Sequence, residues 1–378
     1  MGNLKELIRG GVVYPAWLPE KNDFIFNEKG KRQREEIIKR GMSKGLPTDM
    51  KYLDLDSLDE LKGYFVFLTE KDYSALSPLM WNSLFESRNL NFRAVYCVGN
   101  PKDAQTIVRG LKSDSKYLGG GFGSGWKEQY KYLDKIFPEG LVSVNNIVKD
   151  KVSGNLIGYN TDIPGFLLPL ERKLMETRGH GLENKVVVMF GGGGVGKQLV
   201  RGLLDKNVGK LYIINRTVEK AKQMAEDANR IIPDVAEFGG EDRIRDFLLR
   251  ENVVAAINVS KKGAEPLQDY SAFAFADVSN VEGVKDNNDE SLEIVGELAR
   301  KNKEIVLYDI TLPRSGFPKT LQIAKQVGLK NLLDGKGMFV NQGIIAIQNV
   351  EKLNSGIFGE KLSEKEIEDI FSVSMRND

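Results

Sequence analysis

The chain has 378 residues, 41% of them hydrophobic and 28% charged, with 54 Lys plus Arg against 53 Asp plus Glu. That mixture excludes a largely disordered or collagen-like chain, and a net charge of +1 gives no overall pull toward nucleic acid or an anionic membrane. At about 150 residues per domain, the length predicts two domains. The single cysteine, Cys97, excludes an internal disulfide and zinc sites built on paired cysteines. In the apolar run from Ala94 to Val98 it reads as a buried strand thiol. The single histidine, His180, sits in the connector Arg178-Gly179-His180-Gly181, so proton transfer is expected to fall to Lys, Asp, Glu or Tyr.

The N-terminus Met1-Gly2-Asn3-Leu4-Lys5-Glu6 carries charge where a signal peptide needs an apolar core, and lacks the hydroxyl residue of a myristoylation signal. No apolar run approaches the roughly 18 residues of a membrane span. A soluble, cytoplasmic protein is expected.

In chain order, residues 1–60 read as an extension. Two prolines break Gly11 to Pro19 into extended or looped chain, and Asn27 to Arg40 reads as a charge-laced helix with a solvated face. From about Gly63, strands and helices alternate: strand Tyr64–Leu68, helix Pro78 to Arg88, strand Arg93–Val98, helix Pro101 to about Leu111. The glycine-rich stretch Gly119 to Gly125 follows, and then a helical run from Gly165 to about Thr177. A second series places strands at Lys185–Phe190, Leu211–Asn215, Val253–Val259, Phe273–Val278 and Ile305–Ile310, with helices in the gaps. Such alternation predicts a parallel, doubly wound sheet. Gly337 to Leu353 reads as a helix, and a short charged helix closes the chain.

The strand Lys185–Phe190 runs straight into Gly191-Gly192-Gly193-Gly194-Val195-Gly196-Lys197. Read as G-x-G-x-x-G, its glycines are Gly191, Gly193 and Gly196. Residues without Cβ permit a tight turn, let backbone amides approach a pyrophosphate, and let the helix pack close to its strand. Strand before, helix after and a second strand all fall in place, which predicts a dinucleotide site with Gly194 and Val195 also lining it. At the end of that second strand stands Asn215-Arg216-Thr217, where an NAD site would place a carboxylate for the ribose hydroxyls. Arg216 offers a guanidinium to a 2′-phosphate and Lys220 lies one helical turn on, so NADP is the expected cofactor. No metal is expected.

Taken in order, these motifs resemble the shikimate dehydrogenase family (the shikimate/quinate dehydrogenases). Gly158-Tyr159-Asn160-Thr161-Asp162-Ile163-Pro164-Gly165-Phe166 is similar to the family's GxNTDxxGF segment, Gly191 to Lys197 to its glycine loop, and Asn215 to Thr217 to its NRT motif. Asn258-Val259-Ser260 followed by Gly263 resembles the loop after the fourth cofactor-domain strand. The segment Asp334 to Gln342, with Gly337 and Met338, resembles the return to the catalytic domain. The resemblance spans about Phe65 to Val350. It implies a catalytic pair, Lys127 and Asp162, and NADP contacts from Asn258, Ser260, Gly337 and Met338. It further implies substrate contacts from Ser77, Asn145, Thr161 and Gln342. Hydride transfer to a ketone builds negative charge on its oxygen, which a nearby ammonium can stabilise and protonate while a carboxylate orients it.

The substrate side departs from the family pattern. Ala75 stands where a serine is expected, although Ser74 can serve if the loop shifts by one. Trp81 replaces a histidine, and Leu312 a tyrosine. Gly121 and Gly123 replace an asparagine and a threonine, leaving Ser124 as the nearby hydroxyl. The segment from Gly263 to Ile305 is longer than the resemblance predicts. The expected fold is therefore α/β in two domains, a substrate-binding α/β domain and a Rossmann-type doubly wound NADP domain, with the substrate cleft between them. The expected layout is an N-terminal extension at 1–60, the substrate-binding domain at 61–170, the NADP domain at 171–334, and helices returning to the catalytic domain at 335–378. The implied reaction is reversible hydride transfer between NADPH and 3-dehydroshikimate or a related cyclic hydroxy acid. Quinate, an aminoshikimate or a less polar acid are alternatives, and Gly119 to Gly125 with Trp126 favour a changed substrate. A non-catalytic NADP-binding paralogue and methylene-tetrahydrofolate dehydrogenase-like chemistry fit less well with Lys127, Asp162 and the Asn160-Thr161-Asp162 and Asn215-Arg216-Thr217 motifs. A small-molecule partner is expected, with no nucleic acid or membrane; a homodimer is left open.

Overall fold

The computed structural model describes residues 3–15, 57–71, 76–264, 266–276, 283–312 and 316–374. The chain divides into two compact units, one of Met1–Thr161 with Gly343–Asn377 and one of Asp162–Gln342. The helix at 27–40 and Ser74 and Ala75 lie outside the described residues.

The first unit carries a seven-stranded mixed sheet of β1 (Val13–Pro15), β2 (Gly63–Thr69), β3 (Phe92–Gly99), β4 (Tyr117–Phe122), β5 (Lys135–Phe137), β6 (Asn146–Lys149) and β7 (Leu156–Tyr159). The order is β1-β3-β2-β4-β6-β7-β5, in which β3, β2 and β4 run parallel and β1, β6 and β7 pair antiparallel to their inner neighbours. Alternation on β2 sorts its side chains. Tyr64, Val66 and Leu68 join one buried core, whereas Phe65 on the other face packs with Trp81, Phe85, Phe92 and Phe358. The glycine-rich stretch is mostly strand β4, paired to β2 on one side and β6 on the other.

Part of the N-terminal stretch belongs to this core. Leu4, Leu7 and Ile8 of the helix Leu4–Arg9, and Val13 of β1, are buried among its residues. The buried Asp114 carboxylate pins the stretch by accepting from Leu4 N at 2.9 Å and from the Tyr64 hydroxyl. At the other end of the chain, the helix Glu364–Ser374 packs on the helix Leu76–Ser87. Gly343 lets that contact close, since a Cβ there would meet Phe371 and Met80 within 3 Å. Arg88 adds a two-pronged ion pair to Glu366.

The second unit holds six parallel strands: β8 (Val186–Phe190), β9 (Lys210–Ile214), β10 (Ala236–Gly239), β11 (Val253–Asn258), β12 (Val306–Asp309) and β13 (Leu332–Asp334). Their order is β10-β9-β8-β11-β12-β13, so successive crossovers run one way from β8 and then the other. Both faces are covered, which is why strands such as Val253–Asn258 are buried at every position. Val187, Met189, Leu211 and Ile213 face one core; Val188, Phe190, Tyr212 and Ile214 face the other. No helix among the described residues is long and apolar enough to cross a membrane.

One expected strand is absent. Residues 270–276 form turns rather than a strand, and 277–282 lie outside the described residues. Phe273, Ala274 and Ala276 are buried, whereas Phe275 between them is exposed. The segment's backbone is satisfied by side chains instead of a ladder. Asn287 accepts from Ser271 N at 2.7 Å and donates to Ser271 O and Phe275 O, and Thr320 Oγ1 accepts from Ala272 N at 3.0 Å.

Candidate active site

The strand order of the second unit reverses between β8 and β11, and the carboxyl ends of these two strands flank the crevice where open α/β sheets hold ligands. The glycine turn sits there. Gly191 adopts φ +119°, and a Cβ on it would lie 2.6 Å from Ser260 N, so the loops after β8 and β11 close on each other. The helix Gly194–Asp205 starts after Gly193 with no side-chain cap, and open space adjoins both Gly193 and Gly194. Close helix packing at Gly196, whose Cβ would come 2.7 Å from Gly191 O, fixes the turn from behind. Uncapped first-turn amides facing open space suit a diphosphate.

These features predict a separable pair of effects. Gly191→Ala must strain the backbone and is expected to lower stability by about 1–3 kcal/mol and to weaken dinucleotide binding. Gly194→Ala meets no atom within 4 Å and should leave the melting temperature unchanged or slightly raised while weakening binding. Thermal melts and nucleotide titrations of both variants check this; equal destabilisation by the two would contradict it.

At the end of β9, Asn215 clasps the turn: its Oδ1 accepts from Gly192 N at 2.8 Å and its Nδ2 donates to Thr217 O at 2.9 Å. Arg216, Thr217 and Lys220 are exposed, and the Lys220 Cβ lies 3.1 Å from where a Gly192 Cβ would be. At the end of β11, the fully buried Asn258 accepts from Ser260 N and Oγ at 2.9 and 2.7 Å and donates to Lys262 O. Val195 is half-buried, Gly337 lies near Pro169, and Met338 is sunk in the core of this unit. Gln342 lies over Gly165, one helical turn after Asp162, which is buried and opens the helix Asp162–Arg178.

Two buried groups behind the site are not marked by any motif. The Lys262 ammonium lies 2.8 Å from Glu241 Oε1 and donates to Ala274 O at 2.6 Å. Burial pulls it below the ordinary lysine range, while Glu241 opposes that shift. The adjacency of Lys261 and Lys262 gives no signal, because the pairing joins the ends of two strands. The second is Asp309, fully buried at the end of β12, which accepts from Thr311 N and Oγ1 at 3.0 and 2.7 Å.

Burial pushes the Asp309 carboxyl up to about 6 from an ordinary 3.8, against the hydrogen bonds from Thr311. Between about pH 4 and 6 the folded chain keeps a proton that the unfolded chain has released, so stability falls as pH rises through that window. A carboxyl raised that far costs the fold roughly 3 kcal/mol once it is ionised. Asp309→Asn is expected to flatten that dependence, as followed by urea unfolding across the window. An unchanged slope would assign the dependence to other groups.

In the first unit, Lys127 follows β4 and opens the turn Lys127–Tyr132; its backbone carbonyl accepts from Val144 N at 2.9 Å, which sets it next to Asn145. Asn145 holds Thr161: Asn145 Oδ1 accepts from Thr161 N at 2.8 Å, and Asn145 Nδ2 donates to Thr161 Oγ1 at 3.1 Å. Lys127, Asn145 and Thr161 are thus brought together. Ser124 is exposed on the turn after β4, and Ser77 is partly exposed in the first turn of the helix Leu76–Ser87. Trp126, expected to mark an altered pocket, is instead core: fully buried, its indole N–H donates to Gly99 O at 2.9 Å and its ring packs on Phe122. Cys97 is a buried thiol of β3, pushed up to about 12 by burial.

Residues 173–238 match the family model described as shikimate/quinate 5-dehydrogenase. A shikimate dehydrogenase (NADP(+)) of Carboxydothermus hydrogenoformans is 28% identical over 278 residues, covering 72% of this chain and 86% of that protein. Among solved structures, a shikimate dehydrogenase in complex with NADP+ superposes with a TM-score of 0.61 at 23% identity, covering 84% of this chain and 96% of the other. A 5-ketofructose reductase of Gluconobacter superposes with a TM-score of 0.60 at 23% identity, covering 83% and 98%. These likenesses establish the two-domain, Rossmann-type α/β fold.

Proposed function

We propose that this chain is a member of the shikimate dehydrogenase family and an NADP-dependent oxidoreductase acting on shikimate or a related cyclic hydroxy acid. The observation that carries the reading is the glycine turn at the strand-order reversal, with Arg216 rather than a carboxylate at the end of β9. Open space at Gly193 and Gly194 fits a diphosphate, and Arg216 and Lys220 fit a 2′-phosphate. When bound, NADP supplies the hydride acceptor or donor.

The glycine turn, Arg216 and Lys220 would hold NADP+, which would supply the two-electron oxidant; in the proposed conversion of a secondary alcohol to a ketone, the O–H proton passes to Lys127. Asp162 is the carboxylate assigned to this proton transfer. Ser77, Ser124, Asn145, Thr161 and Gln342 are assigned to the substrate, and Ser74 joins them in this reading. Asn258 and Ser260 shape the cofactor side, with Gly337 and Met338 behind it.

The scaffold does not dictate the acid, since a 5-ketofructose reductase shares it. Reduced-nicotinamide absorbance with shikimate or quinate and either NADP+ or NAD+ tests the proposal. Turnover favouring NADP+ is expected. Tight NADP binding without oxidation of any cyclic hydroxy acid would refute the oxidoreductase reading.

A further inference from the structure

The register of β2 and β4 sets Phe67 opposite Gly121. A Cβ on Gly121 would lie 3.0 Å from Phe67 Cδ1 and 2.8 Å from the Asn145 carbonyl oxygen, so the phenyl ring covers bare backbone beside Asn145. Phe67 is also the open end of an aromatic stack. It stands edge-on to Trp81 at 5.6 Å between centroids, and Trp81 packs on Phe65 at 4.8 Å. Trp81 and Phe65 are buried, whereas Phe67 remains partly exposed near the carboxyl ends of the parallel strands β3, β2 and β4. The neighbouring Asn145 and Thr161 are hydrogen-bonded to each other, so the polar side of this place is fixed while the Phe67 side is apolar.

Resting on the proposed oxidoreductase reading, we infer that Phe67 is a specificity-determining residue, and that it selects a ring acid bearing the reacting alcohol but few further hydroxyls. Glycine at 121 supplies no amide or hydroxyl, and a phenyl face cannot replace the water that a ring hydroxyl gives up. A hydroxyl placed against such a wall is disfavoured by up to about 100-fold. The carboxylate and the reacting oxygen still have cationic and hydroxyl partners in Lys127, Ser77 and Ser124.

The test compares kcat/KM with NADP+ for shikimate and for 3-hydroxycyclohex-1-ene-1-carboxylate, which keeps the ring, acid and reacting alcohol but lacks the other two hydroxyls. The mono-alcohol is expected to be favoured at least about 10-fold. A Phe67→Ala/Gly121→Asn variant, which removes the ring and adds an amide, should shift the ratio toward shikimate by a similar factor. Circular dichroism and a thermal melt verify that this variant is folded in both units, and Phe67→Ala alone, which adds no atom at Gly121, should move the ratio in the same direction. A wild-type preference for shikimate, or a ratio unmoved in a folded double variant, overturns the inference. If neither acid is oxidised, the oxidoreductase reading fails for these acids and calorimetry on the wild-type chain decides separately. Tighter binding of the mono-alcohol supports the selective wall; equal binding, tighter shikimate or no binding overturns it.

Discussion

Lys127→Ala is expected to lower kcat by about 10³-fold while leaving the dissociation constant for NADP(H) within about two-fold of the wild-type value. Proton transfer by a positioned side chain contributes roughly 10²–10⁴-fold. Among the described residues, His180 interacts with a carbonyl in its own connector, and Cys97 is buried and held protonated, so neither replaces the lysine. The cofactor affinity should survive because the glycine turn, Asn215 and Asn258 belong to the second unit and are held by their own hydrogen bonds. Lys127 contributes its backbone carbonyl, not its side chain, to the bond with Val144, so alanine keeps that anchor. Lys127→Arg should be nearly as inactive, since a guanidinium stays protonated at any working pH. Stopped-flow single turnovers with nicotinamide fluorescence separate the two quantities. Lost NADP affinity in the alanine variant would place Lys127 in the cofactor site instead, and retained turnover would remove it from catalysis.

The parts of the site legible in the sequence are those whose geometry is local. Gly191 to Gly196 announces itself because strand, turn and helix are consecutive, and the φ of +119° at Gly191 is the physical need that glycine meets. The Asn160-Thr161-Asp162 segment is likewise visible as a motif, but the hold of Asn145 on Thr161 joins β6 to the end of β7 and emerges only in the fold. Residues paired across the sheet leave less trace. Phe67 reads as one more apolar residue in a buried strand; only the register against Gly121 exposes its place beside Asn145. Trp126 shows the converse error: a large aromatic after a glycine run suggests a ligand wall, yet its N–H is met by Gly99 O in the core. A short apolar run does not by itself fix strand pairing, which is why Phe273 to Ala276 also reads as a strand.

Arg216→Asp is expected to reverse cofactor preference. In the wild type, the exposed guanidinium at the end of β9 can grip a 2′-phosphate with charge-assisted, two-pronged hydrogen bonds, each worth about 1.5–3 kcal/mol. Removing it should cost about 10²-fold in kcat/KM for NADP+, and the new carboxylate adds like-charge repulsion against the phosphate. The same carboxylate can accept hydrogen bonds from free ribose hydroxyls, so kcat/KM for NAD+ should rise. Lys220, beside the glycine turn, retains part of the phosphate attraction, so Arg216→Asp/Lys220→Ala should complete the switch. Stability should change little, because both side chains are exposed and neither belongs to a buried core. The readout is the ratio of kcat/KM for NADP+ to that for NAD+ at fixed acid concentration, taken in low and moderate salt. The wild-type preference should weaken as salt screens the exposed cations, whereas the NAD+ activity of the double variant should barely respond. A ratio unchanged by both substitutions would mean that the 2′-phosphate is held elsewhere, and would overturn the role assigned to Asn215-Arg216-Thr217.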